Sequence, residues 1–308
     1  MRVVRFLLVT VVVLVALALG AGWYLTRREP VPEVSDYALD MSEIRKLAGA
    51  SAGALPERVN HEQIGVGLLP KGAVFAGESL SERQPMSHGA YQVVYADGTF
   101  AMIDSAFDAA MLHTMNPEAE FSESAWTAIQ RGLGAAKVVV ITHEHADHIG
   151  GIARFAEPDK LVGRVQLSEE QLGSKRWLAE AAFPESLEKG MTPLRYERYH
   201  VVAPGIVVIK APGHTPGSQM VFVKLANGKE LLFLGDVAWH MSQIRELWYR
   251  PRLVTWLFLG ENRAQVMAEF RTLHDLISRD SVQLVVSHDT DQRRELIAAG
   301  VLGEQFQF

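Results

Sequence analysis

Four side chains that can bind a metal ion lie within six residues of one another in the stretch THEHADHIGG, residues 142–151. They are His143, His145, Asp147 and His148, and the apolar run KVVVI precedes them. The chain has no cysteine, so imidazole and carboxylate groups are the natural ligands left for a zinc-type cation. Alternation at a strand end aims His143 and His145 to one side, while Asp147 and His148 lie just past it, where the chain must turn. The stretch therefore predicts a metal site, with room for a second metal beside the first.

Three later residues supply the further ligands that two metals would need. Each follows an apolar run that is typical of a strand: His214 in IKAPGHTPGS, Asp236 in LLFLGD and His288 in LVVSHD. A histidine in a loop is more often simply solvated, so each residue alone is a weak indication. Four strand ends that converge on one edge of a sheet make a much stronger prediction.

Taken together and in this order, THEHADHIGG, PGHTPGS, FLGD and SHD resemble the metallo-β-lactamase-fold hydrolases over roughly residues 60 to 300. The resemblance implies an α/β fold, a four-layer αβ/βα sandwich in which two mixed sheets pack face to face with helices outside. It also implies a dinuclear site at one edge of the sandwich. One metal would be held by His143, His145 and His214, the other by Asp147, His148 and His288, and Asp236 would bridge both.

Two divalent metal ions are therefore the expected cofactors, with zinc favoured and iron, manganese and cobalt open, because availability often decides. A hydroxide shared by two metals is a nucleophile at neutral pH, and the metals also stabilise the oxyanion formed from a carbonyl. The resemblance implies catalytic roles for Asp236, which would orient the hydroxide and pass on a proton, and for Asp147. Glu144, between two ligand histidines, is expected to point away from the site.

The substrate is not fixed by this fold, because the family cleaves lactones, thioesters, β-lactams and phosphodiesters. The chain looks most similar to the N-acyl homoserine lactonases, which share the HxHxDH motif, both later histidines and the aspartate. Those lactonases commonly carry a tyrosine shortly after the bridging aspartate, where this chain reads DVAWH. Trp239 and His240 are the predicted substrate-binding residues there, and an indole N–H donates a hydrogen bond but cannot act as a phenol does. A lactone or another small-molecule ester is the expected substrate.

Alternatives remain open beside this interpretation. A glyoxalase-II-like thioesterase, a β-lactamase-like activity and a phosphodiesterase all fit the same ligands, although the commonest β-lactamases use a cysteine where this chain has Asp236. A non-catalytic, membrane-tethered metal-binding scaffold is the alternative from another class, and it predicts a broken ligand set. The formal net charge of -6 and the lack of a basic stripe argue against a nucleic-acid partner.

The N-terminus predicts a single membrane-spanning helix. Residues 6–25 form an uncharged apolar run that is long enough to cross a bilayer and ends in Trp23 and Tyr24. A cleaved signal peptide is the competing hypothesis, with small-residue sites within residues 16–20. Arg2, Arg5 and the amino terminus slightly outweigh Arg27 and Arg28, which favours a periplasmic or other extracytoplasmic catalytic domain on a bacterial inner membrane.

The remaining pattern predicts a domain division and the main elements. Residues 1–28 are predicted to be the anchor, 29–58 a proline-containing linker with a helix near 35–50, and 59–308 the hydrolase domain. Asp97-Gly98 and Asn227-Gly228 predict two hairpins, and residues 261–279 predict an amphipathic helix. Strands are predicted at 137–142, 162–168, 205–211 and 282–288. Two aromatic-rich segments, 168–199 and 238–260, are predicted to cover a pocket that suits an acyl chain.

Overall fold

Two mixed β-sheets of five strands each form the centre of the computed structural model, which describes residues 2–308. The first sheet has the strand order β1-β2-β3-β4-β5 and the second has the order β10-β9-β8-β7-β6. The strands of the first sheet are β1 Arg58–Pro70, β2 Arg83–Val94, β3 Phe100–Ile103, β4 Val138–Val140 and β5 Val165–Gln166. Those of the second are β6 Tyr199–Ala203, β7 Ile206–Lys210, β8 Gln219–Lys224, β9 Glu230–Phe233 and β10 Gln283–Val285.

Alternation along the strands explains why the two sheets stack. Val138 and Val140 of β4 face the space between the sheets, whereas Val139 faces the helices outside. On β7, Val208 points inward and Val207 points to the opposite helical layer. Since both faces of each sheet are apolar, each sheet must be covered on both sides, which gives a four-layer αβ/βα sandwich.

Helices cover both outer faces and fill the connections. They are α1 Arg2–Thr26, α2 Met41–Ala50, α3 Lys71–Val74, α4 Ala109–Met115, α5 Glu123–Ala135, α6 Ala146–Ala153, α7 Glu169–Gly173, α8 Lys175–Glu180, α9 Glu185–Gly190, α10 Met241–Arg245, α11 Arg252–Val254, α12 Arg263–Arg279 and α13 Thr290–Ala298. Short 3₁₀ turns occupy Pro158–Leu161 and Gly235–Val237, and one π-helical turn occupies Thr255–Leu259.

The sandwich predicted from the sequence motifs is confirmed, and most local predictions agree with the structure. Both hairpins are present, with Gly98 at φ 80° and Gly228 at φ 86° in their turns. The helix predicted near residues 35–50 begins only at Met41, because the Asp40 side chain caps it by accepting from the Ser42 and Glu43 amides. The strand predicted at 162–168 shrinks to Val165–Gln166.

Helix α1 is long and apolar enough to cross a membrane, as an anchor or a signal sequence would be. Its apolar side chains are exposed along the described part of the helix. Its last residue packs onto the domain, since the Gly77 amide donates to the Thr26 carbonyl over 2.7 Å. Arg252 and Arg263 then both form ion pairs with Glu29 in the segment that follows.

Candidate metal centre

The HxHxDH stretch lies where β4 ends and α6 begins. Thr142 to Glu144 continue past the strand, His145 is the N-cap of α6, and Asp147 and His148 occupy its first turn. Gly151 lets this helix pack closely, because a Cβ there would lie 2.1 Å from the Ser105 carbonyl oxygen. A strand and a tight helical turn thus place four side chains at one edge of the first sheet.

The second sheet brings three more side chains to the same edge. His214 follows β7, Asp236 lies in the 3₁₀ turn after β9, and His288 follows β10. Gly235 makes the turn before Asp236 at φ 52°, and its Cα approaches Thr142 so closely that a Cβ would lie 2.8 Å from the Thr142 Cβ. Only glycine combines that backbone angle with that contact, so Gly235 joins the two sheets at the site.

The first group of side chains consists of His143, His145, His214 and Asp236, all buried. The Nδ1 atom of His145 lies 3.1 Å from Nε2 of His143 and 3.0 Å from Nε2 of His214. Oδ2 of Asp236 lies 3.5 Å from Nε2 of His214. Three ring nitrogens and one carboxylate oxygen therefore converge on one point.

The second group consists of Asp147, His148, Asp236 and His288. Nε2 of His148 lies 3.5 Å from Oδ2 of Asp147 and 3.3 Å from Oδ1 of Asp236. Nε2 of His288 lies 3.1 Å from the same Oδ1 atom. Asp236 thus turns Oδ2 towards the first group and Oδ1 towards the second, as a bridging carboxylate would.

The donor set fits divalent cations. Within residues 2–308, the buried atoms His148 Nε2 and Asp236 Oδ1 have no hydrogen-bond partner, although an unpaired buried polar atom is costly. Both atoms face the second group. Histidine nitrogen and carboxylate oxygen are ligands that zinc, iron, manganese and cobalt accept, so the residues present suit a pair of such ions.

Burial and neighbouring charges set the protonation of these ligands. Burial lowers the pKa of His145 to about 3, and burial with the nearby His148 charge lowers the pKa of His143. Burial also opposes charge on His148, yet Asp147, Asp104 and Asp236 outweigh it and raise the pKa of His148. Asp236 likewise outweighs burial at His288 and raises its pKa. His143 and His145 are therefore neutral imidazoles, the metal-binding form, whereas the raised pKa values of His148 and His288 favour protonated rings, whose protons a metal must displace.

Acceptor groups behind the histidines orient their rings, and the sequence prediction missed them. Nδ1 of His148 lies 2.8 Å from Oδ2 of Asp104, and Nδ1 of His214 lies 2.6 Å from Oε1 of Glu261. Nδ1 of His288 lies 2.8 Å from the Ser87 carbonyl oxygen. Asp104 gave a usable signal, since it follows the apolar run FAMI. Glu261 gave none, because it was predicted only as the first residue of the helix 261–279, and it lies just before α12, which begins at Arg263.

Glu261 is the centre of a fully buried polar network. Arg250 donates from Nη2 to Glu261 Oε1 over 2.6 Å and to the Asp236 carbonyl oxygen over 3.2 Å. Burial raises the pKa of Glu261, but the Arg250 charge outweighs it and holds that pKa at about 2. The carboxylate of Glu261 therefore stays charged, links His214 to Arg250 and supports the turn that carries Asp236.

His88, on β2, is a further buried histidine at the site that the sequence prediction missed. Its Nδ1 atom lies 3.6 Å from Oδ2 of Asp147, and its ring centre lies 4.8 Å from that of His288. Burial lowers the pKa of His88. It therefore stands as a neutral imidazole beside the second group.

The predicted substrate-side residues have defined contacts. Trp239 is buried and donates from Nε1 to Asp236 Oδ2 over 2.6 Å, and its ring centre lies 6.4 Å from those of His214 and His288. His240 caps α10 by accepting from the Ser242 amide, and its Nε2 lies 3.3 Å from Asp289 Oδ1. Their role towards substrate stays a prediction.

Glu144 accepts hydrogen bonds from Ser174 and Thr215. It ties the HxH turn to the loop that carries His214.

Comparison with known proteins agrees with this arrangement. The N-acyl homoserine lactonase AttM of Rhizobium radiobacter is 27% identical over 163 residues, which cover 50% of this chain and 59% of that protein. The N-acyl homoserine lactonase AiiA of Bacillus thuringiensis subsp. kurstaki is 22% identical over 156 residues, or 51% of this chain and 57% of that protein. The chain thus spans less than two thirds of the length of these relatives.

Solved structures share the fold. A quorum-quenching N-acyl homoserine lactone lactonase superposes with a TM-score of 0.61 at 13% identity, over 78% of this chain and 95% of that chain. The dizinc quorum-quenching lactonase AidC gives a TM-score of 0.55 at 13% identity, over 75% of this chain and 87% of that chain. The sequence model of the metallo-beta-lactamase superfamily matches residues 90–285. The chain therefore belongs to the metallo-beta-lactamase superfamily.

Proposed function

We propose that this protein is a membrane-anchored, dinuclear metal-dependent hydrolase that cleaves a lactone or another small-molecule ester. Residues 1–28 form the anchor in this proposal, 29–58 the linker and 59–308 the hydrolase domain. The observation that carries it is the pair of four-residue ligand groups that share Asp236, one oxygen facing each group.

The metal ligands in this proposal are the seven residues of the two groups. His143, His145 and His214 would hold one cation, Asp147, His148 and His288 the other, and Asp236 both. When bound, two divalent cations would lower the pKa of a water molecule and polarise the carbonyl of the substrate. Zinc is favoured, and iron, manganese and cobalt suit the same ligands.

Asp236 is the proposed proton carrier. The Trp239 N–H donates to its Oδ2 atom, which fixes the plane of the carboxylate, and Arg250 holds its backbone carbonyl. The positive charge on His288 and His148 outweighs burial and holds the pKa of Asp236 well below its usual range. The carboxylate is therefore ionised, which is the form that in this proposal accepts a proton and returns it to a leaving alkoxide. Asp147 is the second proposed catalytic carboxylate. Its side chain is the most exposed to solvent among the seven proposed ligands.

The substrate class is inferred from the relatives, which are N-acyl homoserine lactonases. Trp239 is the proposed substrate-side wall between the two groups, and His240 the proposed polar neighbour. Trp177 of α8 lies against His145, with ring centres 4.1 Å apart, so both aromatic-rich segments contact the site, 168–199 through Trp177 and 238–260 through Trp239. The apolar rings of Trp177 and Trp239 beside the site suit the acyl chain of such a substrate.

The test is metal content and hydrolysis on the same sample of the full chain, purified in detergent without chelator. The panel is a long-chain N-acyl homoserine lactone, a thioester, a β-lactam and a phosphodiester. Asp236→Asn should lose both activity and metal. Asp280→Asn is the matched control, because Asp280 pairs with Arg45 and precedes β10, whereas the proposed ligand His288 follows that strand at its other end.

Each outcome selects among the alternatives. About two metals per chain with the lactone preferred supports the proposal. Preference for the thioester, the β-lactam or the phosphodiester would support the proposed metal centre but refute the proposed lactone or ester substrate. No metal after reconstitution with zinc or manganese would refute the dinuclear site and favour the non-catalytic scaffold.

The proposed location is an inner membrane with the hydrolase domain on the extracytoplasmic side. The positive charges of Arg2, Arg5 and the amino group slightly outnumber those of Arg27 and Arg28, which favours an N-terminus on the cytoplasmic side. Protease added to intact spheroplasts should digest the hydrolase domain. A domain that stays undigested would indicate the opposite orientation, with the domain in the cytoplasm.

A further inference from the structure

Three consecutive large apolar side chains are exposed on the π-helical turn that precedes α12. Trp256 is 49% exposed, Leu257 66% and Phe258 63%. Soluble surfaces rarely carry a contiguous apolar patch of this kind without a partner. We refer to Trp256, Leu257 and Phe258 as the apolar tip.

The apolar tip is continuous with the end of α1. The ring centres of Trp256 and Tyr24 lie 6.1 Å apart, and the Arg252 guanidinium lies over both rings, 4.2 Å from that of Tyr24 and 5.6 Å from that of Trp256. A lipid that surrounds the last turn of α1 would therefore also meet the tip. Because the apolar tip adjoins the end of α1, a lipid bilayer is the partner that we assign to it.

Charge around the apolar tip suits a bilayer surface. Arg27 stacks on Trp23 at 4.5 Å, Arg252 adjoins Trp256, and Arg176 donates to the Phe258 carbonyl oxygen over 3.2 Å. An apolar centre with tryptophan at its side and arginines around it is the composition of segments that lie in the headgroup region. Arg27 and Arg176 would meet lipid phosphate while the three side chains enter the acyl boundary, and Arg252 would stay paired with Glu29.

The apolar tip is also connected to the opening of the metal centre. His145 and Asp147 are the most exposed of the seven proposed ligands, so the centre opens on their side. Trp177 packs edge-to-face against His145, and Arg176 lies 4.0 Å above the Trp177 ring and donates to the Phe258 carbonyl oxygen. Two residues thus separate the tip from the opening.

We propose that the apolar tip inserts into the bilayer beside α1, so that the hydrolase domain lies on the membrane with its opening at the headgroup level. A lipophilic substrate would then reach Trp177 and His145 from the membrane. This inference rests on the proposed anchor and, for the substrate, on the proposed function.

Because the sequence has no cysteine, a single introduced cysteine can be labelled at one defined position. Single variants Leu257→Cys and Phe258→Cys of the full chain are labelled with a fluorescent NBD group and reconstituted in nanodiscs of phosphatidylcholine and phosphatidylglycerol. Leu14→Cys, in the middle of α1, reports on the anchor. Ala226→Cys is the control, in the exposed β8–β9 turn at the opposite end of β9 from Asp236.

The expected result is that lipid carrying a shallow nitroxide quenches labels at 257 and 258 about threefold or more beyond the label at 226, as interfacial burial requires. Labels at 257 and 258 that behave like the one at 226, with the label at 14 quenched, would overturn docking and keep the anchor. Protection from aqueous iodide without quenching by lipid would overturn it in favour of a second copy of the chain. No quenching at 14, even by lipid that carries its nitroxide at the bilayer centre, would remove the anchor and docking together.

Substrate entry is tested with the double variant Leu257→Ser, Phe258→Ser. Hydrolysis of a long-chain acyl lactone in vesicles should fall about tenfold, because docking is lost, while hydrolysis of a short water-soluble lactone is kept. An equal fall on both substrates, or a fall on neither, would overturn entry from the membrane. If the unaltered protein hydrolyses no lactone, the proposed function fails, and the labels still decide docking.

Discussion

The buried carboxylate of Glu261 offers the sharpest test of how this metal centre is held. It accepts from Nδ1 of His214 over 2.6 Å and from Nη2 of Arg250 over 2.6 Å, and none of the three side chains is exposed to solvent. Glu261→Gln keeps the shape of the side chain and removes its charge. His214 and Arg250 both bond to Oε1 of Glu261, so the glutamine oxygen can still accept from them but only as a weaker, uncharged acceptor, and the guanidinium of Arg250 stays buried without its counter-charge.

Two losses of known size follow from this geometry. Removal of an acceptor behind a metal-binding histidine costs about 10–100-fold in metal affinity, or about 1.4–2.7 kcal/mol. Removal of one partner of a buried ion pair costs about 3–5 kcal/mol in the free energy of unfolding. We expect the amide of glutamine to retain one hydrogen bond, so the lower end of each range applies.

The assay is competition with a chelator of known affinity, together with thermal unfolding of the metal-free variant. Glu269→Gln is the matched control, since Glu269 is a buried carboxyl group of α12 that, within residues 2–308, has no hydrogen-bond partner. It should leave metal affinity unchanged. A Glu261→Gln variant that unfolds more easily but binds metal as tightly as the unaltered protein would refute the orienting role and leave a structural one.

Three further predictions concern the same region. Trp239→Phe removes the hydrogen bond to Asp236 Oδ2 and should lower kcat about tenfold with metal content retained, because bonds to charged groups are worth about 1.5–3 kcal/mol; an unchanged kcat would contradict this. Burial and the Glu261 charge raise the pKa of Glu269 well above 4.5, so the folded state retains a proton that the unfolded state releases and stability falls as pH rises. The gain in Tm from Glu269→Gln should therefore grow from about pH 5 to about pH 8, and a constant gain would argue against it. Metal uptake should release protons from His148 and His288, whose pKa values are raised, so affinity should increase with pH; calorimetry in buffers of different ionisation enthalpy counts them, and no release at neutral pH would contradict the prediction.

The sequence predicted the fold and the grouping of the ligand residues because both depend on local patterns. An apolar run that ends in a histidine or aspartate marks a strand end, and His143, His214, Asp236 and His288 all follow such runs. Strand ends of a sandwich meet at shared edges, so the convergence of these side chains could be predicted without coordinates.

The supporting groups could not be predicted because they depend on long-range packing. Glu261 meets His214 across 47 positions of sequence, and Arg250 reaches it from a segment without periodic pattern. Trp239 was predicted to face the substrate from its position in DVAWH, but nothing in that string shows that its N–H bonds to Asp236. Position along the chain identifies which residues approach a site, and packing decides which way each points.

The division of the proposed ligands between two sheets sets an order of events during biosynthesis. Four ligands lie at the end of β4, and the other three follow β7, β9 and β10. Synthesis proceeds from the N-terminus, so the HxHxDH turn emerges well before Asp236 and His288. Neither group is complete until Asp236 is in place, and the second also waits for His288. Metal capture by the proposed ligands would therefore be a late step of maturation, one that follows assembly of the sandwich rather than guiding it.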